Sequence, residues 1–436
     1  MAAQAQAQEQ DTVLTNYLRK AQYQQAIEYI DTEEPARDLT YQKVLCYKGM
    51  NNYSKAIEIL ETLQKSYPDD IPVQLELAQC YETNLQYPKS IYWYQKLVEA
   101  DPANTYFQVR KADLLYRAEK YATALENYLQ IDPETYNPAY LKKSIALCYE
   151  KLNLPDSAKV YYRAAWEIDP HDVFSALCLV KLCIQQKDYE QALSDSETFL
   201  AGDTTNAQMN VLNAFTYYCL DQFDKASLRF EKCRTAGDSS LMVIRSLGIS
   251  YFMLQNDSTA YSYLQQAYGR DTTNRKALYV FAQVNYNLQY YPDAILAYQK
   301  LIEQEMPNRN ALCTYYTGLA QASEKDSLYQ DAAKYYMTAL EYTSSNVKRM
   351  DLFFEVASLA EFHLKNYRAA VYYYTQFCST LLNYQNALSE KPDPDTEKIE
   401  AIESQLAELD KYIRNLKTEH GITSDDKMWT DKVWFF

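Results

Sequence analysis

Glycine is scarce in this chain of 436 residues, with only 7, and proline is limited to 13. So few breakers leave long stretches free to be helical. The glycines are never spaced as GxGxxG or GxxxxGK, which excludes a phosphate-cradling loop. Histidine is rarer still. His171, His363 and His420 lie far apart, with no HExxH or paired spacing, so a histidine zinc site is not expected. The cysteines number 9, an odd count with no CxxC, which suits buried thiols better than a disulfide framework. Basic residues are outnumbered, 43 against 58 acidic, for a net charge of −15. A nucleic-acid partner needs positive surface to release counterions, so none is expected. No apolar run approaches the roughly 20 residues that cross a bilayer, so no membrane span is expected. Asp393, Asp395 and Glu397 alternate as in a calcium loop, but the turn glycine and twelfth-position glutamate are missing. Nothing marks a serine or cysteine nucleophile. The chain reads as a non-enzyme without cofactor or metal.

The start, MAAQAQAQEQD, has no charged leader and no apolar core, so it is not an intact secretory signal. It does read like the small-residue end of one, ahead of a polar mature start. That reading makes residues 1–10 a disordered remnant of an exported protein of the periplasm or bacterial cell envelope. A short disordered start to a cytoplasmic protein is the alternative, and the free cysteines favour it.

What is present is a repeat. Around Ala158 the chain has a small residue twelve positions earlier (Ala146) and an aromatic nine earlier (Tyr149). Tyr162, Ala165 and Pro170 follow at plus four, seven and twelve. The template recurs at Ala26, Ala56, Ser90, Ala124, Ala192, Ala226, Ala260, Ala294, Ala332 and Ala370. The steps are 30, then 34 seven times in succession, then 38 twice. A fixed period of this size signals a solenoid rather than separate globular domains. Each period carries two helical patterns, 139–153 and 156–168 around Ala158, with Pro155 in the turn and Asp156 as the expected N-cap. The small residues at minus twelve and at the anchor let two helices approach within about 8–10 Å. Tyrosine is abundant, 44 in all, and positions minus nine, minus three and plus four take twenty of them, so the excess serves packing. Cys46, Cys80 and Cys148 share position minus ten, and this too is packing. The four extra residues of the last unit are expected in the polar loop 343–349, those of the preceding one in 303–310 or 323–331.

This order of small and aromatic positions resembles the tetratricopeptide repeat family, whose unit is a 34-residue helical hairpin. The resemblance runs over 11–378. It implies an all-α fold, an α-solenoid winding as a right-handed superhelix of about eleven hairpins. Glu33, Asn285, Ser323 and Glu361 depart from the pattern, as capping units do. A linker is expected at 379–395 and a capping helix at 396–421, with its apolar stripe at Ile399, Ile402, Leu406, Leu409, Ile413 and Leu416. A dimer seam is the other use of that stripe. The apolar tail 422–436, with Met428, Trp429, Val433, Trp434, Phe435 and Phe436, should pack back or act as a docking peptide.

The resemblance further implies a non-catalytic scaffold or adaptor binding other proteins or peptides along a concave groove lined by the first helices; the sequence leaves the oligomeric state open, with a monomer as the expectation. A peptide-responsive regulatory sensor is the alternative. Positions fifteen, eleven and eight before each anchor should face the groove. They hold Lys143 and Glu150, with Asp113 and Tyr116 a unit earlier and Lys181 a unit later. Beyond come Phe215, Tyr218, Arg245, Phe252, Tyr279, Gln283 and Tyr286. Arg110, Arg117 and Lys151 flank the strip as a local basic patch. These residues suit either a solvated face or a groove for an acidic or aromatic peptide. Members that grip a chaperone's C-terminal carboxylate use a Lys and an Asn one turn apart. Here Lys143 has Leu147 in place of the Asn, so that use is not expected.

Overall fold

The computed structural model describes residues 13–34, 36–304, 308–390 and 395–423, and every element among them is a helix. The chain divides into two compact units, Met1–Thr204 and Thr205–Phe436. In the first, α1 (13–19) pairs with α2 (Tyr23–Ile30), α3 (Arg37–Gly49) with α4 (Tyr53–Ser66), and α5 (Ile71–Thr83) with α6 (Tyr87–Ala100). Then come α7 (Thr105–Arg117) with α8 (Tyr121–Leu129), α9 (Pro138–Lys151) with α10 (Pro155–Ile168), and α11 (Val173–Gln185) with α12 (Tyr189–Gly202). The second unit holds α13 (Ala207–Cys219) with α14 (Phe223–Thr235), α15 (Leu241–Met253) with α16 (Asp257–Arg270), and α17 (Arg275–Asn287) with α18 (Tyr291–Glu303). It continues with α19 (Arg309–Lys325) and α20 (Tyr329–Tyr342), then α21 (Asn346–Phe362) and α22 (Tyr367–Ser389), and closes on α23 (Thr396–Glu419). Within each unit, each helix from α2 on packs on its neighbours in sequence. The architecture is an all-α solenoid of stacked hairpins with a capping helix.

The small residues hold it together. All eleven anchors, Ala26 to Ala370, are fully buried, as are their partners Ala78, Ala112, Ala146, Ala214 and Ala282, and Gly248 is buried too. At Gly248 the approach is so close that a Cβ would lie 2.6 Å from Leu264 Cγ. The large residues then fill the groove between hairpins, and tyrosine burial is graded by position. The six at plus four (Tyr94, Tyr128, Tyr162, Tyr298, Tyr336 and Tyr374) are buried, whereas all eight at minus three are half-buried.

Each first helix ends the same way. The residue five before the anchor has positive φ, from +52° to +65°, in all eleven hairpins. In ten of them the next N–H reaches back to the carbonyl nine before the anchor, as Gln86 does to Tyr81 at 2.8 Å. This is a Schellman closure, made here without a single glycine at the left-handed position.

The structure departs from expectation at several joints. The extra four residues of the two long units lie in helix, not in loops: α19 and α21 each have 17 residues where α17 has 13. Asn308 and Ser345 cap the following backbone, Asn308 accepting from Ala311 N and Ser345 from Lys348 N, so the polar stretches become first turns. Asp156 is not an N-cap, since α10 already starts at Pro155. It lies in the first turn, where its carboxylate accepts from Gln186 at 2.7 Å. Helix α22 runs on to Ser389, into the stretch expected as linker, because Leu381 and Leu388 find Ile402 of α23 to pack against. Lower on α23, Ile413 and Leu416 join the core of α19 to α22, and the helix stops at Gly421 with φ +60°. Most of the stripe offered for a dimer seam is therefore covered. The expectations for residues 1–10, for Asp393 and for the tail from Met428 lie outside the described residues.

Candidate functional site

The first-helix positions expected to face a partner are occupied differently in the two units. In the first unit most of the assigned residues are tied up internally. Glu82, buried on α5, accepts from Arg110 Nη2 at 2.5 and 2.6 Å and from Arg117 Nη1 at 2.7 Å. The Arg117 guanidinium also lies 5.0 Å from the centre of the Tyr87 ring. Asp113 accepts from the hydroxyls of Tyr128 and Tyr140, at 2.6 and 2.7 Å. Burial pushes its carboxyl above the usual range, with those hydroxyls opposing. Glu150 accepts from Tyr162 at 2.7 Å, and Lys143 lies 3.3 Å from Asp172. Tyr116 packs edge-on to Tyr121 at 5.3 Å. Of the expected basic patch, Arg110 and Arg117 are thus neutralised by Glu82, 28 and 35 positions away in sequence, whereas Lys151 is exposed and makes no ion pair among the described residues. Among the assigned cations, Lys181 is exposed and makes no ion pair among the described residues.

In the second unit, Phe215 stacks on Tyr218 at 5.8 Å, and Lys276 Nζ sits 4.7 Å over the Tyr218 ring. Arg245 pairs with Asp271, whose carboxyl is held down to about 2 by the Thr273 backbone N–H, the Thr273 hydroxyl and Arg245. Phe252 is half-buried against the core of α15 to α18, and Tyr286 packs edge-on to Tyr291.

Further along, the face opens into a recess of about 300 Å³ across α17, α19 and α21. Tyr279 and Gln283, joined by a 2.7 Å hydrogen bond, form one wall. Thr317 and Gln321 of α19 and Glu355 of α21 line it too. The rings of Tyr298 and Tyr336, at 4% and 1% exposure, lie deepest. Gly318 makes room for the first of these, since a Cβ there would meet Tyr298 Cζ at 2.4 Å. Thr317, Gln321 and Glu355 were missed in the sequence, yet they occupy positions fifteen and eleven before Ala332 and fifteen before Ala370. The register carried two units further would have found them; the lengthened helices hid it. Burial, then the charges of Glu324 and Asp351, push the Glu355 carboxyl up, with Lys325 opposing. A larger hollow, about 680 Å³ at α2 to α4, is lined by none of the assigned positions.

Among the described residues no group of three His, Cys, Asp or Glu is placed to hold a metal ion, and no helix is long and apolar enough to cross a membrane. Burial pushes the Cys46 thiol up and that of Cys80 to about 11, so these two stay protonated at neutral pH.

Comparison with known proteins agrees with this architecture. Tetratricopeptide repeat models match residues 41–105 and 144–172. The human Superkiller complex protein 3 is 24% identical over 349 residues, 76% of this chain and 22% of that one. Lipopolysaccharide assembly protein B of Haemophilus influenzae is 29% identical over 175 residues, 37% of this chain and 42% of that one. The chain thus spans less than half the length of these relatives. Among solved structures, YrrB, described as a TPR protein with an unusual peptide-binding site, aligns at 18% identity and TM-score 0.39, covering 43% of this chain and 94% of its own. A tetratricopeptide repeat protein from Parabacteroides merdae aligns at 14% and 0.39, covering 58% and 98%. With eleven hairpins in one register and repeat models matching in two places, the chain is a tetratricopeptide repeat protein.

Proposed function

We propose that the protein is a non-catalytic scaffold or adaptor whose first-helix face holds a segment of a partner protein. One observation carries this reading: two residues assigned to that face by register alone, Tyr279 and Gln283, form a wall of the recess across α17, α19 and α21. Recesses of roughly 300 Å³ suit side chains of a peptide, with few polar groups to fix its direction. One relative is by name part of a complex and another by name acts in lipopolysaccharide assembly, uses that an assembly surface would serve. The second of these supports a cell-envelope location for this chain, which fractionation of the native cell tests.

Crosslinking in the native cell with mass spectrometry should recover partners joined near α17 to α21. A Tyr279→Ala variant that keeps its helicity should lose them, and their retention would sink the proposal. Lys181→Glu probes the first unit more cleanly than Lys143→Glu, which would also break the contact with Asp172. A change in overall dimensions by small-angle scattering on peptide binding would point instead to a regulatory sensor.

A further inference from the structure

Resting on the reading of the recess as a peptide-holding face, we infer that it recognises a basic side chain, a Lys or Arg of the partner, with Glu355 as counter-ion and tyrosine rings around the stem.

Three observations lead there. First, Glu355 lines the recess without an ion pair or hydrogen bond among the described residues. In the first unit Glu82, Asp113 and Glu150 all have internal donors. Second, Tyr298 is 4% exposed and lines the recess, yet its hydroxyl has no hydrogen-bond partner among the described residues. A hydroxyl that opens onto the recess without an internal partner can pair with a donor supplied from outside. Gly318 keeps that hydroxyl approachable, since a Cβ there would sit 2.6 Å from the Tyr298 oxygen. Third, the charges at the recess favour a cation. Asp351 and Glu355 line it with Lys348, and Glu324, which accepts from the Tyr336 hydroxyl at 3.0 Å, and Lys325 act on Glu355 from beside, which leaves three carboxylates to two amines.

A basic side chain answers all three at once. Its head offers several donors and a positive charge, and its methylene stem fits between rings. Tyr279, Tyr298 and Tyr336 present the aromatic surface over which a cation is held when partly desolvated. An acidic side chain would instead face unpaired carboxylate, and an aromatic one would leave Glu355 and the Tyr298 hydroxyl uncompensated.

The test selects random seven-residue peptides on the full, immobilised chain and repeats the selection on variants. The expected result is binders enriched in Lys or Arg, weakened at least tenfold by Glu355→Gln, unaffected by Glu150→Gln, and weakened by salt. Binders lost on Tyr279→Ala but showing no basic enrichment, or indifferent to Glu355→Gln, would overturn this inference and leave the peptide-holding face standing. If no peptide depended on Tyr279, both readings would fall. Circular dichroism of each variant separates lost binding from lost folding.

Discussion

Gly248→Ala should destabilise the protein, although the same exchange in a helix ordinarily helps. In a helix interior, alanine is favoured over glycine by about 1 kcal/mol. At Gly248 the new Cβ would meet Leu264 Cγ at 2.6 Å and Cδ2 at 2.9 Å, when carbon pairs prefer about 3.5–4.0 Å. The Leu264 backbone nitrogen at 3.3 Å limits escape by rotation, and Leu264 is 1% exposed, so it has nowhere to go. Overpacking of this kind costs about 1–3 kcal/mol, so the net expectation is a loss of about 1 kcal/mol. Gly269, near the end of α16, has nothing within 4 Å of its added Cβ and is the control. Gly269→Ala should gain about 0.5 kcal/mol, a reduced share because helix ends fray. Urea titration by far-UV circular dichroism reads both, with hydrogen exchange on α15 and α16 because arrays of repeats do not always unfold in one transition. If Gly248→Ala raised the midpoint as Gly269→Ala does, the argument that this position must be small for hairpin contact would be wrong. Coupling between Gly248→Ala and Leu264→Ala should be large, since the second removes the atoms that the first would strike.

Other expectations follow from the same geometry. Glu82→Gln should cost about 1–3 kcal/mol in chemical denaturation of the first unit: it leaves half-buried Arg110 with only the more distant carboxylate of Asp113, 3.6 Å away, while the more exposed Arg117 resolvates. Arg117→Ala should cost less than 1 kcal/mol, and equal losses from both variants would refute this ranking. Glu355→Gln should melt higher than the parent at pH 7.5 and equally at pH 4. The Glu355 carboxyl titrates above its ordinary 4.5 when folded, among Glu324, Asp351, Lys325 and Lys348. The cost of its charge therefore grows as pH rises past the unfolded value and is complete above the folded one. A pH-independent difference would contradict that. Ile413→Asp, at 5% exposure on α23, should cost about 2–5 kcal/mol and expose apolar surface of α22, detected as a lower midpoint and increased dye binding.

The period by itself determined the hairpins, the anchors and the burial of the plus-four tyrosines. Steric demands at helix contacts repeat with the chain, so Ala158 and its ten equivalents could be read without coordinates. It also reached Tyr279 and Gln283, because position fifteen and eleven before an anchor must fall on the same helix face in every unit. What only the tertiary structure decided is how charges are spent on that face. Arg110 and Arg117 look alike with Lys181 in sequence, yet Glu82, from the preceding hairpin, neutralises the first two, and among the described residues no carboxylate pairs with the third. Pairing of this kind depends on rotamers and on side chains some 30 residues apart, which periodicity does not encode. The lengthening of α19 and α21 was equally hidden, because a polar stretch with a capping Asn308 or Ser345 reads as loop until the helix is seen to begin there. That extra turn lies on the helices that bear Gly318 and Glu355, so the far wall of the recess proposed to hold a partner was visible only once the register was carried through the lengthened units.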